Sequence, residues 1–288
     1  MRNLTFSIII PTFGRQQALS ACLQALARLD AARDACEVIV VNDGGSWDAP
    51  ALAAAWSGQL NLRLLAQSHA GPAAARNLGA RHAQGNFLAF VDDDCQADPG
   101  WLAALAAQLA AMPDHLVGGR TVNALADNRF AATSQAIVSY LYAHYNADPT
   151  RARFLASNNL AVSARRFRQR GGFDTAFPWA AGEDREFCAR WLAHGGGMIY
   201  APQAIVYHTQ ALTARSFWQQ QFNYGRGARR LRRRVDLAPA AESWAFYVGL
   251  LGLRGSQMPV AAARPLLLFA QLAHAAGFLA ELGRAAES

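Results

Sequence analysis

The chain has 288 residues, 52% of them hydrophobic, which is enough to bury one large α/β core or one core with an appendage and excludes a disordered chain. Its net charge is +7, and every basic side chain is arginine because the sequence contains no lysine. The four scattered cysteines have no CxxC or disulfide-framework spacing, and no signal peptide is recognised. Both features favour a reducing, cytoplasmic location over secretion.

The first third of the chain alternates short apolar strands with helical patterns. Strands are predicted at 6–11, 37–41, 61–65 and 87–92, and helices at 15–29, 47–57 and 72–83. This alternation predicts a parallel sheet with helices on both faces.

The remainder of the chain is less regular. Helices are predicted at 99–111, around 133–145 and at 183–194, and strands at 115–120, 155–162, 198–201 and 204–208. Residues 215–234 read as a long helix that carries six arginines after position 225. Two apolar helical runs follow, 244–253 and 265–280, broken at Gly255 and Pro259. Each run is shorter than the ~20 residues that span a bilayer.

Three consecutive aspartates end the apolar strand at 87–92. Because side chains alternate along a strand, Asp92 and Asp94 are predicted to share one side while Asp93 points to the other. Two carboxylates at a strand end suit a hard divalent cation such as Mg²⁺. The alternative is a solvated acidic turn or a helix N-terminus, since a proline follows Asp98.

Other strand and helix ends carry polar side chains in the same half of the chain. Thr12 follows Pro11 at the end of the first strand, and Asp43 precedes two glycines at the end of the second. Arg76 lies in the first turns of the 72–83 helix. Ligands of parallel sheets bind at the carboxyl ends of the strands, so these residues are candidates for the same site. The alternatives are a plain turn at Asp43 and a surface charge at Arg76.

Several motifs occur in a fixed order along residues 5–210. They are FSIIIPTF at 6–13, EVIVVNDGG at 37–45, AGPAAARNLG at 70–79, FLAFVDDD at 87–94, GGFD at 171–174 and GEDREFCAR at 182–190. This order resembles the family 2 glycosyltransferases with the GT-A fold. The resemblance implies an α/β protein with a Rossmann-like, mostly parallel sheet flanked by helices. It makes 1–96 the nucleotide-sugar-binding half, 97–214 the acceptor-binding and catalytic half, and 215–288 a basic and apolar helical tail.

The resemblance also implies an activity. The protein is expected to be an inverting, metal-dependent transferase that moves a sugar from a nucleoside diphosphate sugar to an acceptor hydroxyl, in cell-surface polysaccharide or glycolipid synthesis. UDP-sugar is the leading donor, with dTDP- and GDP-sugars open. Two rivals remain: a sugar nucleotidyltransferase, which usually needs a lysine that this chain lacks, and a degenerate transferase domain that only binds a partner.

The same resemblance assigns the metal and phosphate contacts. Asp92 is expected near the ribose and the metal, Asp94 on the Mg²⁺ or Mn²⁺ ion, and Asp93 in the nucleotide-sugar site. His208 is expected to contact the metal or the diphosphate, with a purely structural histidine as the alternative.

The base-binding region is assigned to the ends of the first two strands. The resemblance implies that Asp43 accepts a hydrogen bond from the nucleobase and that Pro11 and Thr12 lie nearby. Arg76 is expected either to pair with Asp43 or to touch the nucleotide.

The catalytic assignment rests on the acidic pair that opens the helix at 183–194. The resemblance implies that Asp184 is the general base, with Glu183 as its neighbour or substitute. A carboxylate at a helix N-terminus is expected to stay ionised at neutral pH. The alternative is two acids that merely complement the helix dipole.

The tail leaves two interpretations open. Its helices either pack on the catalytic domain or on a second subunit in a homodimer, or they lie at a membrane surface with help from the arginines. The acceptor is expected to be a saccharide or a lipid-linked molecule. The location is expected to be cytoplasmic, with peripheral attachment at the inner face of the cell membrane, and no nucleic-acid partner is expected.

Overall fold

The computed structural model describes residues 6–31, 35–234, 242–252 and 260–283, so Gly255 and Pro259 lie outside the described residues. The described chain contains one eight-stranded sheet with the order β3-β2-β1-β4-β7-β6-β8-β5. Its strands are β1 (Phe6–Thr12), β2 (Cys36–Asn42), β3 (Leu62–Ala66), β4 (Phe87–Val91), β5 (Cys95–Ala97), β6 (Leu116–Asn123), β7 (Asn159–Ser163) and β8 (Met198–His208).

Helices flank this sheet and form the tail. They are α1 (Gln16–Leu26), α2 (Ala49–Trp56), α3 (Pro72–His82), α4 (Trp101–Ala111), α5 (Arg129–Tyr145), α6 (Ala164–Gln169), α7 (Glu183–Ala193), α8 (Ala214–Arg233), α9 (Trp244–Gly252) and α10 (Val260–Gly283). The sequence misses the short β5, and it divides β8 into two strands where the structure has one.

The continuous apolar runs of the strands follow from burial on both faces of the sheet. Every residue of β1 is buried. Ile8 and Ile10 join the core cluster that contains Leu23 of α1. Ile9 points to the opposite face and joins the cluster that contains Phe173. Each such buried side chain contributes roughly 1.5–3 kcal/mol by removal from water.

The sheet is parallel through β3, β2, β1 and β4 and becomes mixed beyond β4. β7 runs antiparallel to β4 and β6, and β8 runs parallel to β6. A register shift lets Gly119 pair with Ala201 and Arg120 with Ile205. The far end of β8 then pairs antiparallel with β5, opposite Cys95. This pairing brings His208 next to the aspartates that precede β5.

The tail helices α8, α9 and α10 pack on the preceding part of the chain through α5. Phe217, Leu250 and Leu267 belong to one buried apolar cluster together with Ile137 of α5. The described tail residues therefore share a core with the rest of the chain, as the packing interpretation predicts.

α10 is one helix through Pro265, and it is longer than the apolar run predicted at 265–280. Within the described residues, 264–282 form a stretch that by length and composition alone could cross a membrane, and 28% of it is buried inside the protein. The expectation that neither apolar run reaches that length is therefore wrong for α10. The predicted run stops at Ala280, whereas the helix continues through Glu281 to Gly283.

Candidate active site

The three aspartates lie in a turn, because β4 ends at Val91 and the Cys95 amide donates to the Asp92 carbonyl. Asp93 is fully buried and accepts a 2.6 Å hydrogen bond from the Thr12 hydroxyl. Asp92 and Asp94 line a cavity of about 1150 Å³, and Asp93 lies beneath them. The turn thus separates the three carboxylates as strand alternation predicts, although they follow the strand.

Asp94 lies between two basic side chains. Arg15 Nη1 lies 2.6 Å from Asp94 Oδ2, and His208 Nε2 lies 3.2 Å from Asp94 Oδ1. Burial alone would raise the pKa of Asp94, but the adjacent His208 and Arg15 side chains lower it to about 2. Asp94 in turn raises the pKa of His208 against the opposing effect of burial. The carboxylate is therefore ionised at neutral pH.

The donor set around Asp94 fits a divalent cation. Among the described residues, Asp94 Oδ1 is buried and has no aligned hydrogen-bond donor. Ligand atoms of Asp94, Cys95 and His208 lie within 4.8 Å of one another. Burial raises the pKa of the Cys95 thiol well above its usual range, and sulfur is in any case a soft ligand that suits neither Mg²⁺ nor Mn²⁺. The carboxylate oxygen and the imidazole nitrogen remain as the ligands, and oxygen is what Mg²⁺ and Mn²⁺ prefer.

Arg76 is fully buried, which excludes a surface charge. Its Nη2 lies 2.6 Å from Asp92 Oδ1, and its Nη1 lies 3.0 Å from Glu183 Oε1. Burial would lower the pKa of Arg76, and the charges of Asp92 and Glu183 raise it above the usual value. Arg76 therefore joins the acidic turn to the start of α7, and Asp43, one of its predicted partners, binds other groups.

The acidic pair begins α7 after Gly182, whose φ of +95° favours glycine. Both carboxylates line the cavity. Burial is the main cause that raises the pKa of Glu183 to about 7, and the charge of Asp184 adds to it. Burial also raises the pKa of Asp184, although the Arg185 amide donates to Asp184 Oδ1 at 2.7 Å. Desolvation thus opposes the stabilisation that the start of the helix is expected to give the Asp184 carboxylate.

Asp43 anchors the loop before α3. Its Oδ1 accepts from Gln67 Nε2 at 2.7 Å and from the Ala70 amide at 2.8 Å. Its Oδ2 accepts from the Gly71 amide at 2.9 Å and lies 2.9 Å from His69 Nδ1. A carboxylate has about four acceptor positions, so hydrogen bonds from these three donors of the protein occupy most of this group.

The predicted site residues thus fall into two groups. Those that line the cavity are Arg76, Asp92, Asp94, Glu183, Asp184 and His208. Those outside its lining are Pro11, Thr12, Asp43 and Asp93. Thr12 supports Asp93, and Pro11 is buried within β1.

Two features of the site escape the sequence analysis. Arg15, just after β1, binds both Asp93 and Asp94. The second feature is the polar face of α8, which lines the cavity with Gln219, Gln220, Gln221, Asn223 and Tyr224. The run of three glutamines could have indicated this polar face, although the arginines are the more conspicuous feature of the helix in the sequence.

Solved structures share this fold. The mannosyltransferase PcManGT from Pyrobaculum calidifontis, in complex with GDP-Man and Mn²⁺, matches with a TM-score of 0.62 and 19% identity over 98% of this chain and 79% of that chain. Staphylococcus aureus TarS 1-349 in complex with UDP-GlcNAc matches with a TM-score of 0.57 and 18% identity over 96% of this chain and 89% of that chain. The chain therefore has the GT-A fold of these transferases.

Residues 7–171 match the model of the family described as Glycosyl transferase family 2, and the chain belongs to this family. A pre-mycofactocin glycosyltransferase from Mycobacterium tuberculosis is 29% identical over 228 residues, which are 77% of this chain and 46% of that protein. A hyaluronan synthase from Pasteurella multocida is 26% identical over 242 residues, 73% of this chain and 25% of that protein. The chain spans less than half the length of these curated relatives, and the resemblance predicted from the motifs is confirmed.

Proposed function

We propose that this chain is an inverting, metal-dependent glycosyltransferase that uses a nucleoside diphosphate sugar. The observation that carries the proposal is one cavity lined by the Asp94–His208 pair and by the acidic start of α7. Arg76 ties these two parts together through Asp92 and Glu183. Transfer requires that the groups which bind the anionic donor lie close to the carboxylate that accepts the proton of the acceptor hydroxyl.

Asp94 and His208 would hold Mg²⁺ or Mn²⁺, which as a Lewis acid stabilises the charge that develops on the leaving diphosphate. Arg15 and Arg76 add fixed positive charge on the same cavity wall. Arg76 pairs with Oδ1 of Asp92. The other carboxylate oxygen, Oδ2, would accept hydrogen bonds from the ribose hydroxyls.

Asp184 would act as the general base. The acceptor oxygen forms a bond to the glycosyl carbon, the bond from that carbon to the diphosphate oxygen breaks with its electron pair, and the hydroxyl proton moves to Asp184. A raised pKa suits a base near neutral pH better than the ordinary aspartate value does. Glu183, held by Arg76, would position the start of the helix.

The donor is proposed to be a UDP-sugar, with a GDP- or dTDP-sugar as alternatives. The TarS structure contains UDP-GlcNAc and the mannosyltransferase structure contains GDP-Man, which supports this class of donor without choosing the base. Asp43 has an acceptor position left for the base, and the exposed rings of Phe13 and His69, 4.6 Å apart, would offer the base a flat contact.

The cellular setting is proposed as polysaccharide or glycolipid synthesis in the cytoplasm, at the inner face of the cell membrane. Hyaluronan and chondroitin synthases among the relatives support the first part. The side chains of Arg232, Arg233 and Arg234 are exposed, which supports contact with anionic lipid at up to ~1 kcal/mol per arginine, reduced where Arg233 gives up its bond to the Glu281 carbonyl and Arg234 its pair with Asp174. Sedimentation with anionic vesicles at low and high salt tests this contact, and protein left in the supernatant at low salt refutes it.

Calorimetry of UDP, GDP and dTDP with Mn²⁺ tests the proposed activity, followed by measurement of hydrolysis of the matching nucleotide sugars. We expect one nucleotide to bind only with metal present and its sugar donor to be slowly hydrolysed. Metal-dependent binding without any hydrolysis or transfer would favour a degenerate binding domain. If none of the three nucleotides binds in the presence of Mn²⁺, the proposal is refuted.

A further inference from the structure

The cavity is larger than the catalytic residues require. At about 1150 Å³ it exceeds the usual range for a drug-sized ligand, roughly 300–1,000 Å³. The acidic turn and α7 occupy one wall. Another part of the lining is formed by helices α5, α9 and α10, whose lining side chains are mostly apolar.

α5 and α9 meet next to the catalytic helix. Arg185, the residue after Asp184, donates to the Tyr145 hydroxyl at 3.2 Å. The Tyr145 and Phe246 rings lie 6.3 Å apart, and Phe246 and Leu250 line the cavity one turn apart on α9. The apolar wall therefore begins at Tyr145, which contacts the residue that follows the proposed base.

α10 continues this wall with one face of the helix. Its lining residues recur at the spacing of a single helical stripe: Gln271, His274, Ala275, Phe278 and Leu279. The stripe carries no charge at neutral pH, because burial lowers the pKa of His274 to about 4. The charged residues near the stripe lie on other segments: Arg185 and Glu242 meet at the Tyr145 hydroxyl, and Arg215 and Arg232 belong to α8.

The apolar wall reaches the outer surface. Tyr247 and Leu279 line the cavity and are also exposed, Leu279 by 63%. Leu272, 65% exposed on the same helix, lies outside the cavity lining. An apolar path thus leads from the solvent-facing side of α9 and α10 to the catalytic carboxylates.

We propose that the acceptor is amphipathic: its hydroxyl lies at Asp184, and an apolar chain or aglycone lies along α5, α9 and α10 and leaves past Leu279. This inference rests on the proposed glycosyltransferase activity and names its acceptor class. A small free sugar would leave the apolar side chains of the lining exposed to water. An apolar group bound against them would remove this surface from water, which favours binding.

Calorimetry with alkyl β-D-glucosides below their micelle concentrations, without donor or metal, tests the inference. Each buried methylene is expected to tighten binding by up to about fourfold, which corresponds to ~0.8 kcal/mol. Octyl glucoside should therefore bind several-fold more tightly than hexyl glucoside, and methyl glucoside should bind weakest. Equal affinity for all three would overturn the proposal.

The matched variants are Leu279→Glu and Leu272→Glu, both at exposed positions of α10, so both are expected to fold. We expect Leu279→Glu to weaken octyl glucoside binding at least tenfold and Leu272→Glu to leave it unchanged. Equal losses in both variants would mean that the alkyl chain binds the outer face of α10 and not the cavity, and this result would overturn the proposal. Mn²⁺-dependent nucleotide binding by the same variants reports separately on the proposed activity.

Discussion

Gly277 of α10 lies directly against the backbone carbonyl of Phe222 on α8, so an added Cβ would overlap that oxygen. Gly225 of α8 makes the reciprocal approach to the carbonyl of His274. Two glycines thus let the helix backbones touch, and α10 is held at the distance that makes it a wall of the cavity. On the other side of α8, Gly227 packs against the Ala181 carbonyl, just before the acidic pair.

Replacing Gly277 by valine should separate α8 from α10. We expect the free energy of unfolding to fall by about 1–3 kcal/mol, the usual cost of overpacking, together with weaker octyl glucoside binding. Urea unfolding measures the first effect and calorimetry the second. Gly252→Ala is the control, because an added Cβ there meets no atom within 4 Å among the described residues. A Gly277→Val protein as stable as the control would contradict the close contact.

Asp94→Asn keeps the size of the side chain and removes the charge. Nucleotide binding in the presence of Mn²⁺ should fall at least tenfold because the proposed site loses its anionic ligand, and the melting temperature should also fall because Arg15 and His208 lose their charged partner. Calorimetry with and without Mn²⁺ measures the difference. Asp114→Asn, a change to an exposed carboxylate, is the control. Unchanged metal-dependent binding in Asp94→Asn would move the metal elsewhere.

Asp184→Asn is nearly isosteric and cannot accept the proton. Turnover should fall by ~10²-fold or more, the range for loss of a general base, with donor affinity near that of the wild type. Steady-state kinetics and nucleotide calorimetry separate the two effects. Full turnover in this variant would assign the base to another group, with Glu183 as the next candidate.

The pH profile follows from the raised pKa of Asp184. Burial favours the neutral carboxyl, and only the ionised form can take the acceptor proton. The rate should therefore be full above the raised pKa and fall about tenfold per pH unit below it. This acid limb should lie above the ordinary aspartate range of about 3.9. A flat profile down to that range would contradict the burial of a working base.

Arg76→Met leaves Glu183 buried without its cation. We expect the free energy of unfolding to fall by about 3 kcal/mol, the low end for breaking a buried pair, because Glu183 can relieve the cost by taking up a proton. The pKa of Glu183, already about 7, should rise further. Urea unfolding between pH 6 and pH 8 (about one unit on either side of that pKa) measures both effects. Arg81→Met, at an exposed position near the end of the same helix, should change little.

Local sequence patterns predicted the order of strands and helices in the first half of the chain, because continuous apolar runs and turn residues act over a few positions. They also predicted that Asp92 and Asp94 would face one space while Asp93 would not, and the cavity lining agrees. The sequence did not decide whether the tail packs on the protein or lies at a membrane surface. The contacts of Arg226 and Arg230 with Glu281 and with the Trp179 ring account for two of its arginines inside the protein.

The sequence by itself determined the family and the residues that carry its motifs, because those motifs are short and occur in order. Only the tertiary structure decided what the side chains contact. Asp43 accepts from the loop before α3, Arg76 binds Glu183 from 107 positions away, and Arg15 reaches Asp94. These contacts depend on how strands and helices dock, and their free energies come from burial and pairing between segments that no local pattern connects.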